Sequence, residues 1–274
     1  MKLLILDFSG TLSLDAVLFG RKERLAAELE KSGIADLGAG DPEVFWKEII
    51  LPGWEEGSLT EKGYAAVLSA CLCAFTQKNG IAATEPAIHA AARAFSAAYF
   101  AASPIEEAWK IPLTRLAADQ DVFVLIATDH YAEVVPHISG CLERWGINAV
   151  PAPSMENAIG GFRIAASAAL GAYKADAVFW RAAKADLEKS QPRRAFTSIR
   201  LVDDFGCNEN AASEYGGKSR VRREKTAAAI EEVFGLSPEV FSFFLEPEIL
   251  SAAGLPLRRA YAALVREAAA FLVV

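Results

Sequence analysis

The sequence predicts an α/β protein in which a parallel β-sheet is covered by helices on both faces. Short, continuously apolar runs that end in polar residues are typical of buried parallel strands. Helical patterns lie between these runs, and the alternation of strand and helix indicates parallel pairing. A fourth, weaker strand is predicted at Ala149-Val150. The strong runs are residues 3–6, 122–127 and 198–202.

A long block between the first two strands interrupts this alternation. Residues 13–104 carry helical periodicity with almost no strand signal, so we expect an inserted helical subdomain. Turns are predicted at Pro52-Gly53 and at Lys78-Asn79-Gly80. The helical patterns of this block span residues 21–31, 42–50, 60–75 and 85–100, and those after it span 105–118, 131–145, 165–170, 175–188 and 208–215.

These patterns divide the chain into three parts. The α/β core is predicted at about 1–14 and 105–235, and the inserted helical subdomain at about 15–104. Residues 236–274 are predicted to be a C-terminal helical extension. This extension either covers the sheet or forms a homodimer contact, and the sequence favours neither alternative.

Composition and charge argue against several classes of protein. The 274 residues are 53% apolar, and the net charge of −7 gives no reason to expect a nucleic-acid partner. Asp7 cuts the first apolar run far short of a signal peptide, and no run approaches the roughly 18 apolar residues of a membrane span. Four scattered cysteines show neither zinc nor disulfide spacing. We therefore expect a soluble, cytoplasmic protein without a membrane partner.

Polar residues follow each of the three strong strands. Asp7, Thr128 and the pair Asp203-Asp204 stand where their strands end. Because ligands of parallel sheets bind beyond the carboxyl ends of the strands, these side chains should converge. Clustered carboxylates repel one another, and a divalent cation would neutralise this repulsion. Oxygen ligands without histidine or thiolate favour Mg²⁺ over Zn²⁺.

Four motifs, in order, resemble those of the haloacid dehalogenase (HAD) superfamily of hydrolases. The resemblance covers about residues 1–217, and the stretch 54–60 also resembles part of the helical cap that members insert after the first motif. It implies a HAD-like Rossmannoid core with a helical cap at about 15–104. The motifs are Asp7-Phe8-Ser9-Gly10-Thr11-Leu12, then Thr128, then residues 171–179 with Lys174, and finally Leu201-Val202-Asp203-Asp204 with Asn208.

The resemblance also implies a role for each motif residue. Asp7 would attack phosphorus in a small phosphorylated molecule and form an aspartyl-phosphate. Mg²⁺ would be held by Asp7, the backbone carbonyl of Ser9, and the carboxylates of Asp203 and Asp204. Thr128 would donate to a phosphoryl oxygen, and Lys174 would supply positive charge. Asp129, where many members have Asn, is expected beside the substrate.

Ser9 departs from the pattern of most phosphatases in this family. Their second Asp, two residues after the nucleophile, protonates the leaving group, and serine cannot replace it at neutral pH. Three explanations stay open: a leaving group that needs little protonation or an acid from elsewhere, a slow phosphatase, and a binding or regulatory protein with weak or no turnover. The first includes phosphonate or C–halogen cleavage, and dehalogenation is disfavoured by the metal-type motif. The intact motif residues favour an enzyme.

Two further residues, His130 and Tyr99, are predicted to have no catalytic role. His130 is expected to be a surface residue at the start of a helix, although it could line the mouth of the site. Tyr99 is one of several aromatic residues in the helical block that could line a substrate pocket. Aromatic residues at helical spacing more often form the core of the block itself, and this is the interpretation we adopt.

Overall fold

The computed structural model describes residues 1–154, 162–190, 195–209, 218–252 and 254–273. These residues form a six-stranded sheet in the order β3-β4-β2-β1-β5-β6, in which every neighbouring pair is parallel. The sheet confirms the predicted α/β class. In chain order the strands are β1 (Lys2–Leu6), β2 (Val122–Thr128), β3 (Ala149–Ala152), β4 (Phe162–Ala166), β5 (Ser198–Asp203) and β6 (Glu239–Ser242).

Strand β1 lies near the middle of the sheet, between β2 and β5. Leu4 is aligned with Val124 on one side and with Arg200 on the other. Side chains of a strand alternate between the two faces, and both faces of β1 are apolar. Leu4 and Leu6 enter one hydrophobic cluster, whereas Leu3 and Ile5 enter another on the opposite face.

Helices cover both faces of this sheet and make three layers. The first face packs against α7 (Lys110–Ala118), α8 (Val134–Glu143) and α13 (Leu255–Val273). The second face packs against α10 (Ala177–Ser190) and α11 (Ser219–Phe234). The remaining core helices are the short α9 (Ser167–Leu170) and α12 (Pro247–Ser251). None of the described helices is long and apolar enough to span a membrane.

Residues 14–104, all of which the structure describes, form helices and no strand. Their apolar side chains make a separate cluster that also includes Tyr131 from the core. We call residues 14–104 the helical cap. Its helices are α1 (Leu14–Phe19), α2 (Lys22–Lys31), α3 (Pro42–Phe45), α4 (Leu51–Leu59), α5 (Tyr64–Lys78) and α6 (Glu85–Ala101), with a π-helical turn at Trp46–Ile50 joining α3 to α4.

The predicted turn at Pro52-Gly53 is wrong, because the helix continues through it. Pro52 lies where the π-helical turn Trp46–Ile50 passes directly into α4, and Ile50 and Leu51 keep helical backbone angles there. Gly53 is needed for packing: a Cβ there would lie 2.8 Å from Cys71 Sγ and from Val67 Cγ1 of α5. The predicted turn at residues 78–80 is confirmed, since α5 ends at Lys78 and Gly80 has φ +64°.

Two strands escaped the sequence analysis. Strand β4 includes residues 165–166, which were predicted to be helical. Its Arg163 is fully buried against Asp186, and this charge interrupts the apolar run. Strand β6 is a partly exposed edge strand in the extension that was predicted to be helical. The predicted helix at 208–215 begins in a turn at residues 208–209, and the rest of it lies outside the described residues.

The C-terminal extension lies on the sheet. The apolar side of α13 buries Leu257, Tyr261, Val265 and Leu272 in the cluster of the first face. Of the two alternatives left open by the sequence, the structure places this helix over the sheet.

Candidate active site

Three carboxylates meet at the carboxyl end of the central strands. Asp7 follows β1, and Asp203 and Asp204 stand at the end of β5, which is the neighbour of β1. One carboxylate oxygen from each residue lies within 4.8 Å of the others. All three residues are buried, with exposed fractions of 2–5%. The convergence of these residues predicted from the strand ends is therefore found in the structure.

Lys174 reaches into this cluster from the loop between α9 and α10. Its Nζ lies 2.6 Å from Asp7 Oδ1 and 2.7 Å from Asp203 Oδ2. The loop is held by two hydrogen bonds to the Lys174 backbone. Its N–H donates to Asp129 Oδ1 at 2.9 Å, and its carbonyl accepts from Trp180 Nε1 at 2.6 Å. Asp129 therefore fixes the lysine that contacts Asp7 and Asp203.

The loop after Asp7 is shaped by a close approach to Asp204. Gly10 has φ +79°, and a Cβ on it would lie 2.1 Å from Asp204 Oδ2, so only glycine fits. Thr11 Oγ1 accepts a hydrogen bond from the Asp204 N–H at 3.1 Å. Asn208 Nδ2 donates to the Gly10 carbonyl at 3.0 Å. The first and fourth motifs are thus bound directly to each other.

Helix α13 and the turn before α7 support the same loop from the other side. The carbonyl of Thr11 accepts hydrogen bonds from Trp109 Nε1 at 3.0 Å and from the Tyr261 hydroxyl at 2.5 Å. Both donors are buried. The backbone that follows Asp7 is therefore anchored to the sheet-covering helices.

Burial and like charge set the electrostatics of the cluster. Burial raises the pKa of Asp7 to about 7; Lys174 opposes this shift and Asp203 adds to it. Burial, and then the charges of Asp7 and Asp203, raise the pKa of Asp204 well above its usual value. Burial alone would lower the pKa of Lys174, but the carboxylates of Asp203 and Asp7 raise it well above its usual value.

The residues present fit a hard divalent cation. Three buried carboxylates lie together and the ammonium group of Lys174 contacts two of them, which leaves an excess of negative charge that burial makes unfavourable. Carboxylate oxygens are the ligands that Mg²⁺ prefers. Asp7, Asp203 and Asp204 are the residues that could hold such an ion.

Thr128 and Ser9 occupy the other predicted positions. Thr128 is the last residue of β2, is 1% exposed, and is aligned with Ala166 of β4. It therefore stands at the same sheet edge as the carboxylates. Ser9 lies in the turn after Asp7, is half-buried, and is paired with Ser13 in an isolated bridge.

The structure corrects the expectation for His130 and agrees with that for Tyr99. His130 is 4% exposed rather than on the surface, and its Nε2 lies 2.8 Å from the Tyr99 hydroxyl. Burial, assisted by the charge of His137, lowers the pKa of His130 to about 3. Tyr99 packs on the cap cluster, as expected, and its hydroxyl joins the cap to His130 of the core.

Glu209 is a carboxyl group near the site that sequence analysis did not single out. It follows Asn208 in the turn after β5, where the charge of Asp7 acts on it. Burial raises the pKa of Glu209 to about 8, Arg222 opposes this shift, and Asp7 adds to it. Its position next to Asn208 in the fourth motif was the signal that could have identified it.

The helical cap is closed over this edge of the sheet. The Tyr64 N–H at the start of α5 donates to both carboxylate oxygens of Glu133, at 2.7 and 2.9 Å. Ser167 Oγ donates to the carbonyl of Ser58 at 2.6 Å, and the Ser58 hydroxyl lies 2.9 Å from that of Tyr173. These contacts bind the cap to the core and keep bulk water from Asp7.

A parallel sheet with a carboxylate–lysine cluster at its carboxyl edge, under an inserted helical cap, is the arrangement of the HAD-like fold. A solved structure shows the same fold. A 2-haloacid dehalogenase from Pseudomonas syringae pv. Tomato is similar over 96% of this chain and 99% of its own, with a TM-score of 0.53 and 16% identity. At this level of identity the similarity shows the fold alone.

A second solved structure is similar over somewhat less of the chain. It is a predicted HAD-like family hydrolase from Porphyromonas gingivalis, with 13% identity, a TM-score of 0.43, and coverage of 88% of this chain and 90% of its own. No family model and no curated protein matches this chain.

Proposed function

We propose that this protein is a Mg²⁺-dependent hydrolase of the HAD type that transfers the phosphoryl group of a small phosphorylated molecule to Asp7. The observation that carries this proposal is the buried cluster of Asp7, Asp203 and Asp204 with Lys174 at 2.6 Å from the first and 2.7 Å from the second. A nucleophilic carboxylate, a place for a cation and a fixed ammonium group are the parts that phosphoryl transfer requires.

The residues of the chain have distinct tasks in this reaction. Asp7 bonds to phosphorus as the bond from phosphorus to the leaving oxygen breaks, and water later releases phosphate from the aspartyl-phosphate. Lys174 holds the Asp7 carboxylate in place and offsets charge on the transferring group. Asp129 orients Lys174 through its backbone, and Thr128 donates a hydrogen bond to a phosphoryl oxygen. Bound Mg²⁺ neutralises charge between nucleophile and phosphate.

Charge also favours phosphoryl transfer over cleavage of a carbon–halogen bond. The dehalogenase from Pseudomonas syringae shares the fold, and Ser9 rather than Asp follows the nucleophile here, so 2-haloacids form the second candidate substrate class. A haloacid is itself a carboxylate. It would meet three buried carboxylates and one contacting lysine, without a cation of its own. A phosphoryl oxygen could bind the Mg²⁺ that Asp7, Asp203 and Asp204 would hold.

The experiment compares substrates and variants under the same conditions. Hydrolysis of an activated aryl phosphate should require Mg²⁺ and should fall on the order of 10³-fold or more in Asp7→Asn. Halide release from 2-chloropropionate is measured in parallel. Halide release without Mg²⁺, abolished by Asp7→Asn, would replace phosphoryl transfer by dehalogenation.

Isothermal titration with Mg²⁺ separates an enzyme from a binding protein. Mg²⁺ binding with no turnover above that of Asp7→Asn on any phosphate ester would contradict the enzyme and favour a regulatory role. We further propose a cytoplasmic location, a metabolite-sized substrate, and no nucleic-acid partner, in keeping with the net charge of −7.

A further inference from the structure

Tyr131 follows β2 in the core, but its side chain lies inside the helical cap. It belongs to the apolar cluster of the cap and is 5% exposed. Its ring stacks on that of Tyr64, with centroids 4.0 Å apart, and meets the ring of Trp54 edge to face at 5.3 Å. Gly57 of α4 closes the slot, since a Cβ there would lie 2.6 Å from Tyr131 Cδ1 and closer still to Cε1. The cap therefore holds the ring of Tyr131 in a close-fitting slot.

The chain on both sides of Tyr131 is also bound to the cap. The His130 N–H donates to Ser167 Oγ at 2.9 Å. That hydroxyl in turn donates to the carbonyl of Ser58 in α4 at 2.6 Å. Further along, Glu133 accepts from the start of α5 through both carboxylate oxygens. The backbone around Tyr131 is therefore attached to two cap helices.

The same stretch of chain begins at the residue that holds Lys174. Asp129 Oδ1 accepts from the Lys174 N–H at 2.9 Å. The Nζ of this lysine lies 2.6 Å from Asp7 Oδ1 and 2.7 Å from Asp203 Oδ2. We call residues 129–133 the docked segment. One part of the docked segment lies in the cap, and its first residue is bonded to the loop that carries the ammonium group.

We propose that Tyr131 is a positioning residue that couples the position of the helical cap to Lys174 through Asp129. The inference rests on the proposed phosphoryl transfer, in which Lys174 offsets charge on the transferring group. Only His130 separates Tyr131 from Asp129, so the backbone allows little independent movement of the two. With the cap closed, the slot fixes both, and the Lys174 ammonium group is held against Asp7. A withdrawing cap releases Tyr131, and Lys174 loses its fixed position until the cap closes again over the substrate.

Two substitutions in α4 form a matched pair that tests this coupling. Gly57→Ala places a Cβ against the ring of Tyr131, so either the ring or the helix must give way. Gly53→Ala adds the same methyl group to the same helix. Its Cβ would lie 2.8 Å from Cys71 Sγ and Val67 Cγ1 of α5, inside the cap. The first variant disturbs the docked segment, whereas the second disturbs only packing between cap helices.

Hydrogen exchange of the Lys174 amide is the first measurement, because this N–H donates to Asp129. In Gly57→Ala it should exchange about 10-fold faster or more relative to the amides of β1, which report on global unfolding. In Gly53→Ala the ratio of the two rates should stay that of the wild type. Equal ratios in the two variants would overturn the proposal.

Turnover of an activated aryl phosphate is the second measurement. In Gly57→Ala, kcat should fall about 10-fold to 100-fold while KM changes less than about threefold, because a displaced Lys174 is missed mainly in the transition state. Tyr131→Leu should reproduce both effects, and Tyr131→Phe, which keeps the ring, should match the wild type. A fall in kcat without faster exchange of the Lys174 amide would overturn the coupling.

The two measurements also separate this inference from the proposed function. A wild-type protein inactive on every phosphate ester would refute phosphoryl transfer, and the role of Tyr131 in that reaction with it. The exchange of the Lys174 amide in Gly57→Ala and Gly53→Ala would still decide whether the cap and Lys174 are coupled.

Discussion

The two sides of the candidate site are built by different parts of the chain. On one side, Asp7, Asp203 and Lys174 come from the ends of core strands and an adjacent loop, and they contact one another directly. On the other side, the hydroxyl of Tyr99 of the helical cap lies 2.8 Å from Nε2 of His130 of the core. The carboxylate side is therefore fixed by the sheet, whereas the other side depends on how the cap packs on the core.

Removal of Lys174 should produce the largest effect on the carboxylate side. Lys174→Met leaves three buried carboxylates without the ammonium group that contacts two of them. We expect a loss of about 3–5 kcal/mol in the free energy of unfolding, measured by urea denaturation without Mg²⁺. The added negative charge should also make Mg²⁺ raise the Tm more than in the wild type. The double variant Asp7→Asn/Lys174→Met should regain part of the stability, and no recovery would contradict this account.

Gly10→Ala tests how closely the loop after Asp7 approaches Asp204. The substitution combines a φ of +79° with a Cβ 2.1 Å from Asp204 Oδ2. We expect the free energy of unfolding to fall by about 1–3 kcal/mol, measured by thermal denaturation. Mg²⁺ binding should also become weaker, measured by calorimetry.

Gly80→Ala is the matched control for this substitution. Gly80 has φ +64° and nothing within 4 Å of the added Cβ, so it carries the backbone strain without the contact. Gly80→Ala should lower the free energy of unfolding less than Gly10→Ala does, and it should leave Mg²⁺ binding unchanged. Equal losses in both variants would show that the approach to Asp204 does not matter.

His130 should make stability depend on pH on the cap side of the site. Its pKa is about 3 in the folded protein, against about 6.5 in the unfolded chain. The unfolded state therefore binds a proton first, and stability falls as the pH drops below about 6.5 toward 3. Between pH 7 and pH 5 the contribution is about 2 kcal/mol. His130→Gln should lose stability less steeply over this range, in urea denaturation at both pH values, and parallel curves would contradict the shift.

Glu133→Gln should have the smallest effect, and it tests how the cap is attached. Both carboxylate oxygens of Glu133 accept from the Tyr64 N–H. The amide keeps one acceptor, so we expect a loss of about 0.5–1.5 kcal/mol. Hydrogen exchange of the Tyr64 amide should become faster, while amides of the central strand β1 should not change. Faster exchange throughout the sheet would show that the contact stabilises the whole fold.

The same division between core and cap explains what the sequence could predict. Two of the residues that were predicted, Asp7 and Asp203, lie at strand ends, and parallel strands bring their carboxyl ends to one edge of the sheet. The third, Lys174, lies in a motif that follows the first two motifs in the expected order. Tyr99 lies on a cap helix, 92 positions after Asp7, and helical periodicity predicts only that its side chain lies on an apolar face of that helix. Its hydrogen bond to His130 depends on how the cap packs on the core.

Two missed strands and one wrong turn have local physical reasons. In β4, Arg163 interrupts the apolar run and is satisfied by Asp186, which lies 23 positions later. In β6, the residues are only partly buried, so the apolar pattern of a central strand is absent. At Pro52-Gly53, local rules favour a turn, whereas close packing of α4 on α5 keeps the helix continuous.

The support of Thr11 by Tyr261 has a consequence for synthesis of the chain. The two residues are 250 positions apart, so the loop that carries Asp7 is synthesised well before Tyr261. The Thr11 carbonyl has no tyrosine partner until those 250 further positions have been translated. A ribosome-bound nascent chain that ends before residue 261 should therefore hold a preformed β1 segment without a finished nucleophile loop.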